Sequence, residues 1–233
     1  VAQADWLNLE KGDDGKVHVS NNGIFNTLED ASKNALQNSA EYRGPQYLIY
    51  FPQSDNIISE FMIAGYMKVL DNGFFGLTNA TQKTVDLMNQ YGNDGLDVSG
   101  HSRGGMTVGN ALEALMATKS SEKIITATNL KFFGSAYNAK KADDMLSSLS
   151  GGGGRVEMQT HMDDLVGIYL GGNPSTGGTT REGWTKLADW LYMFKGKDTV
   201  HNCYGHGSEA CRDYWGMTFP KSVTVKRVVN ESN

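Results

Sequence analysis

The chain has 233 residues, 21 Lys and Arg against 26 Asp and Glu, and a formal net charge of −5 at pH 7, a size that buries a sizeable core within one domain. No dense basic run is present to neutralise phosphates, which argues against nucleic acid as a partner. No apolar run has the length of a transmembrane helix, and no secretion signal stands at the N-terminus. The start at Val1, with no initiator Met, is expected to mark a processed end or an excised piece of something longer.

In chain order, residues 1–25 are polar, with weak alternation at Val17-His18-Val19 and a turn signal at Asn21-Asn22-Gly23. Residues 27–41 read as a helix capped by Thr27, with Leu28, Ala31, Ala35, Leu36 and Ala40 toward the core. Gln46–Phe51 is the first strong strand, ended by Pro52; its near-continuous apolarity suits burial on both faces. Helices follow over 56–70 and 79–91, then a buried strand at Leu96–Ser99 and a helix over 103–118. A strand lies within Ile124–Phe133, a helix over 139–149, a loop at Gly151–Gly154 and a strand over Arg155–His161. Residues 171–180 form a polar loop, Glu182–Phe194 an aromatic-rich amphipathic helix, and Ser222–Val229 a last strand. This alternation predicts a three-layer α/β fold around a mostly parallel sheet. The expected organisation is a single domain: residues 1–45 as an N-terminal segment with one helix, packed on the main α/β body over 46–233.

Two cysteines, Cys203 and Cys211, sit eight residues apart and are expected to close a small disulfide loop. Such a bond implies an oxidising compartment or secretion. His201 and His206 lie near them, but no second ligand pair at finger spacing appears, so no metal is expected. No cofactor motif is present either.

The chain turns on Leu96-Asp97-Val98-Ser99-Gly100-His101-Ser102-Arg103-Gly104-Gly105. Gly100, Ser102 and Gly104 make a G-x-S-x-G pattern between a predicted strand and a predicted helix. That setting suits a nucleophile elbow, where close strand–helix approach demands glycines and a strained serine thrusts its Oγ outward. The string Thr160-His161-Met162-Asp163-Asp164-Leu165-Val166 is similar to the Thr-His-x-x-Asp-x-Val string around the catalytic aspartate of lipase-type proteins. Together these motifs resemble the α/β-hydrolase superfamily, nearest its lipase-like members, over about residues 46–206.

The resemblance implies a serine nucleophile followed in chain order by an acid and a histidine base. It selects Asp164 as the acid, with Asp163 as the alternative. For the base, chain order leaves His201 and His206; His201, beside the expected staple, is preferred. His101 is expected to turn away from the nucleophile, and His161 to support the acid's loop. The oxyanion hole is expected from the backbone N–H of Arg103 and from the loop after the first strong strand, around Gln53 or Ser54. Arg103 departs from the leucine of the commoner lipase elbow.

The C-terminal block from His201 to Gly216 is also similar to the ends of lipase-like toxin domains carried by large bacterial secreted proteins, including those of contact-dependent inhibition. This resemblance implies a secreted or delivered protein that attacks membrane lipids and has a cognate immunity protein. Helix 182–194, with lysines nearby, would then contact a membrane surface. The expected function is hydrolysis of acyl esters in lipids. The alternatives are a catalytically silent binding module of the same fold and an esterase or thioesterase for soluble substrates.

Overall fold

The computed structural model describes residues 4–23, 27–38, 42–50, 79–119, 122–194, 199–205 and 208–227. The expected helix over 56–70, with Gln53, Ser54 and His206, lies outside the described residues.

Six strands form one sheet: β1 (Val17–Asn21), β2 (Gln46–Ile49), β3 (Leu96–His101), β4 (Thr128–Phe133), β5 (Val156–Gln159) and β6 (Val223–Thr224). Their order is β2-β1-β3-β4-β5-β6, with the first five parallel and β6 antiparallel to β5. The protein is thus an α/β fold with a mostly parallel central sheet and helices packed on it.

Period-2 alternation sorts the strand residues onto two unlike faces. Val19, Val98, Leu130 and Val156 lie in one lateral row, with Val17, Leu96, Phe132 and Met158 on the same side, all buried in the main core. The opposite face is polar: Gln46, His18, Asp97 and Asn129 form one row, and Ser20, Ser99, Lys131 and Glu157 another. Those groups satisfy one another. Ser20 and Ser99 hydroxyls meet at 2.7 Å, Gln46 Nε2 donates to Ser20 Oγ at 2.8 Å, and Asn129 Nδ2 donates to Asp97 Oδ1 at 3.0 Å.

The helices are α1 (Leu28–Asn38), α2 (Asn79–Tyr91), α3 (Arg103–Lys119), α4 (Ala139–Ser150), α5 (Lys186–Phe194) and α6 (Glu209–Trp215). Helices α2, α3 and α4 pack against one another in turn, and α3 lies over β1 and β3 through Met106, Val108, Ala111, Leu112 and Leu115. The Met, Val and Leu side chains among these each contribute about 1.5–3 kcal/mol by leaving water. Thr27 Oγ1 accepts the Asp30 N–H at 3.1 Å while Asp30 Oδ2 accepts the Thr27 N–H at 3.2 Å, a reciprocal start for α1. Helix α4 is closed by Asn138 at one end and by left-handed Gly151 at the other.

Three expectations change. Leu28 and Leu36 of α1 are exposed while Ala31 and Ala35 face inward, and Ala40 lies outside the described residues. Strand β2 is an edge strand, half-buried except at Ile49, because β1 and not β2 adjoins β3. The weakly alternating Val17-His18-Val19 stretch is a fully buried strand hydrogen-bonded on both sides. The segment before residue 46 therefore builds the middle of the sheet.

From β1 the chain crosses to β2 on one side, and from β3 to β4 on the other. Such a reversal opens a crevice beyond the carboxyl ends of the two central strands. A second, smaller core of Val200, Cys203, Trp215 and Met217, flanked by Trp184 and Cys211, lies apart from the main one. Cys203 and Cys211 are bonded, as their spacing predicts.

Candidate active site

At the end of β3 the backbone turns sharply at Ser102, whose φ is +55°. This is the left-handed region, unfavourable for any residue with a Cβ. The turn is pinned on three sides. Ser102 N–H donates to Phe133 O at 3.1 Å, and Ser102 O accepts from Gly105 N–H and Ala136 N–H, each at 3.0 Å. Both flanking glycines are required by contact. A Cβ on Gly100 would lie 2.6 Å from Gly105 N, and one on Gly104 would run into the carbonyl of Asn21 at the end of β1. The G-x-S-x-G spacing is thus the local answer to a strand and a helix meeting at a single residue.

The next layer comes from the neighbouring strand ends. Gly23, in the turn after β1, sits against the elbow serine: a Cβ there would be 2.9 Å from Ser102 Cβ and 2.8 Å from His101 Nδ1. Gly134, after β4, has φ +50°, and a Cβ on it would collide with the Asp164 carboxylate and come within 3.0 Å of His201 Nδ1. Asp164 and His201 therefore close over the end of β4, which is hydrogen-bonded to Ser102.

Asp164 follows β5 and precedes a π-helical turn, Val166–Leu170. It is completely buried. Its Oδ1 accepts the N–H groups of Val166 at 2.9 Å and Gly167 at 3.2 Å, and Tyr204 Oη donates to Oδ2 at 2.6 Å. His201 Nδ1 lies 2.9 Å from both carboxylate oxygens. Burial pushes the Asp164 carboxyl up, but the charge and hydrogen bond of His201, with the Tyr204 and Gly167 donors, bring it below its ordinary range. An ionised carboxylate only accepts, so Nδ1 of His201 is the donor to Asp164, and Nε2 is the ring nitrogen left for other partners.

His201 stands in a 3₁₀ turn, Val200–Asn202, where Thr199 Oγ1 accepts its N–H at 3.3 Å. Its carbonyl takes a hydrogen bond of 2.7 Å from His101 Nε2, and the two rings pack with centroids 4.8 Å apart. His101 thus turns to His201 and ties it to the elbow. Burial, then the adjacent His201 charge, lower its pKa to about 4, so it is neutral near pH 7. Ser102 Oγ and His201 Nε2 are both buried, and neither has a hydrogen-bond partner among the described residues.

Of the other sequence-predicted residues, Asp163 turns aside, its Oδ2 accepting from Thr180 Oγ1 at 3.1 Å. His161 supports the acid segment: Nδ1 accepts the Asp163 N–H at 3.1 Å and its own N–H donates to Tyr204 Oη at 2.8 Å. Burial lowers the His161 pKa. Arg103 is buried at the start of α3.

Four residues of this arrangement carry no motif that singles them out: Gly23, Gly134, Tyr204 and His101 in its observed role. The Asn21-Asn22-Gly23 turn signal marked a sharp bend, but only strand order places it beside Ser102. Burial and the Asp164 charge push the Tyr204 phenol well above its ordinary pKa, so it stays a donor to the acid.

Metal-ligand atoms converge at one place among the described residues, where Asp14, His18 and Asp97 bring theirs within 4.8 Å of one another. This cluster lies at the opposite, amino end of the strands. His18 Nε2 is 2.9 Å from both Asp14 oxygens, and Lys16 Nζ is 3.3 Å from Asp97 Oδ1. The carboxylates are matched by cationic and N–H groups of the chain itself, and Tyr42 stacks on His18 with ring centroids 3.4 Å apart.

Comparison with protein-family models, with curated proteins and with solved structures finds no match.

Proposed function

We propose that the chain is a serine hydrolase of the lipase or phospholipase type, cleaving acyl esters through Ser102, His201 and Asp164. One observation carries this reading. A serine held at positive φ on a strand–helix elbow shares its end of the sheet with a buried Asp164–His201 pair. Its Oγ and the base's Nε2 both lack partners among the described residues. A serine hydroxyl needs such a base, and the base needs such a carboxylate. Catalytic hydrogen bonds are commonly long before substrate arrives.

In this reading Ser102 Oγ attacks the ester carbonyl carbon while His201 Nε2 takes its proton. The Asp164 carboxylate stabilises the imidazolium, and the tetrahedral oxyanion is met by the Arg103 N–H. The second donor, expected at Gln53 or Ser54, lies outside the described residues. The imidazolium then protonates the leaving alkoxide, and water, activated by the same base, releases the acid from the acyl-enzyme.

Apolar acyl chains suit the surface nearby. Leu187, Leu191 and Tyr192 on α5 and Tyr214 on α6 are exposed. The toxin-like C-terminal block extends the proposal to a secreted or delivered protein acting on membrane lipids, with an immunity protein as partner. The Cys203–Cys211 bond suits an oxidising compartment.

A fluorophosphonate probe tests the reaction class. Labelling of the folded parent, abolished by Ser102→Ala, supports it. Absence of labelling favours the second reading, a catalytically silent module, which has its own support in the complete burial of Ser102. Fatty-acid release from phospholipid vesicles against turnover of short soluble esters separates a lipid enzyme from a soluble esterase or thioesterase.

A further inference from the structure

Helix α5 presents its pattern inside out. Leu187 and Leu191 are 69% and 52% exposed, whereas Asp189, between them, is 2% exposed. A carboxyl driven inward while leucines face outward has an unfavourable position unless it serves a partner there. The partner is the backbone of the base segment: Asp189 Oδ1 accepts the N–H of Val200, the residue before His201, at 3.0 Å.

The other holds on the main chain of this segment are neutral. Thr199 Oγ1 accepts the His201 N–H, His101 Nε2 donates to the His201 carbonyl, and Asn202 N–H donates to Thr199 O at 3.0 Å. Asp189 is the acidic side chain that grips its main chain among the described residues. It also links that segment to the helix bearing the exposed leucines. The disulfide and the small core anchor the other side of the segment, through Cys203 and Val200.

The charged and titratable groups that act on Asp189 are His201, Asp164 and Asp163, and its own charge acts on Tyr204. Burial raises its pKa to about 7; the Val200 N–H and His201 oppose that rise, while Asp164 and Asp163 add to it. The Val200 bond favours the ionised form, so it is tighter with the carboxylate than with the acid.

We propose that Asp189 is a positioning residue for the base: its carboxylate locks the Val200–His201 backbone to α5, and protonation loosens that lock. The proposal rests on the reading of His201 as the catalytic base. Its structural half, a pH-dependent grip on Val200, stands apart from any activity.

The test is amide hydrogen exchange at Val200 and His201, corrected for intrinsic rates, between about pH 5.5 and 8.5 in the unmutated protein, chosen to bracket the Asp189 transition. Protection that falls as pH drops through about 7, in an opening that breaks the Val200 bond while Asp189 stays buried, supports the lock; protection that rises as pH drops, the sign expected of an opening that exposes the carboxylate, overturns it. A flat profile overturns it. Asp189→Asn keeps an acceptor of the same shape and removes the charge. It should show the weaker protection at every pH and lose about tenfold in the fluorophosphonate labelling rate of Ser102 above neutrality, as expected of a slightly misplaced base. Labelling of parent and variant should converge at the acid end. Equal protection and equal pH profiles in the two proteins leave Asp189 without this role. If Ser102 is never labelled, the hydrolase reading fails, and the exchange data still decide the lock.

Discussion

Ser102→Gly should yield a protein that is inert toward the probe and more stable than its parent. The backbone at Ser102 has φ +55°, which for a residue with a Cβ costs about 1–2 kcal/mol. Its Oγ is buried without a partner among the described residues, a loss of about 1–3 kcal/mol for an unmade hydrogen bond. Glycine removes both and forfeits about 0.5–1 kcal/mol through the freedom of the unfolded chain. The net expectation is a gain of about 1–4 kcal/mol, or several degrees in Tm at about 2–4 °C per kcal/mol for a domain of this size. Ser102→Ala keeps the Cβ, so its gain isolates the hydroxyl, and the difference between the two variants isolates the backbone. Urea denaturation with unchanged m-values measures both. If Ser102→Ala loses more than about 1 kcal/mol, the hydroxyl is hydrogen-bonded in the folded protein and this account of the elbow is wrong.

Three further outcomes are expected. Asp164→Asn should lower the turnover of whichever ester the parent cleaves by about 10³–10⁴-fold, the scale seen when a base loses its orienting carboxylate. Because the folded pKa of Asp164 lies below its unfolded one, its stabilisation is present above the unfolded value and lost as pH falls through the folded value. The variant should accordingly flatten the acid limb of a stability–pH curve. Tyr204→Phe removes a 2.6 Å donor from a buried charge and should cost about 1.5–3 kcal/mol in denaturation experiments. Asp189 has the opposite sign to Asp164. Its folded pKa is raised to about 7 from 3.8, so folding takes up a proton and stability falls as pH rises between those values. That shift of about three pH units corresponds to about 4 kcal/mol. Asp189→Asn should therefore be the more stable protein at pH 8, by up to that amount, and gain little at pH 4; an unchanged difference across that range would contradict the burial argument.

Local chemistry was legible wherever short-range sterics or periodicity dictated it. Helix α2 occupies the predicted range 79–91, the elbow helix α3 nearly so, and Gly151 caps α4. These depend on neighbours within a few residues, as does the pairing of Cys203 with Cys211. Strand β1 was not legible. Val17-His18-Val19 alternates because one of its faces is polar, yet it is fully buried, and a short stretch with a His and a Ser gives no hint that polar rows on β2, β3 and β4 will satisfy it. Helix α5 shows what an amphipathic period leaves out: the structure buries its Asp189 and exposes two of its leucines, an arrangement set by contacts distant in the chain.

What the sequence by itself determined about this protein is its α/β class, the glycine spacing around Ser102 and the order of serine, acid and histidine along the chain. These follow from backbone sterics, hydrophobic period and chain order. Strand order was decided by the tertiary structure alone. Placing β1 beside β3 brings Gly23 to Ser102. Closing the segments of Asp164 and His201 over Gly134 pairs those two side chains and turns Asp163 to Thr180. Such contacts join residues 37 to 100 positions apart, as between Asp164 and His201 and between His101 and His201. Their partners are set by how strand ends meet in space, which no local pattern encodes.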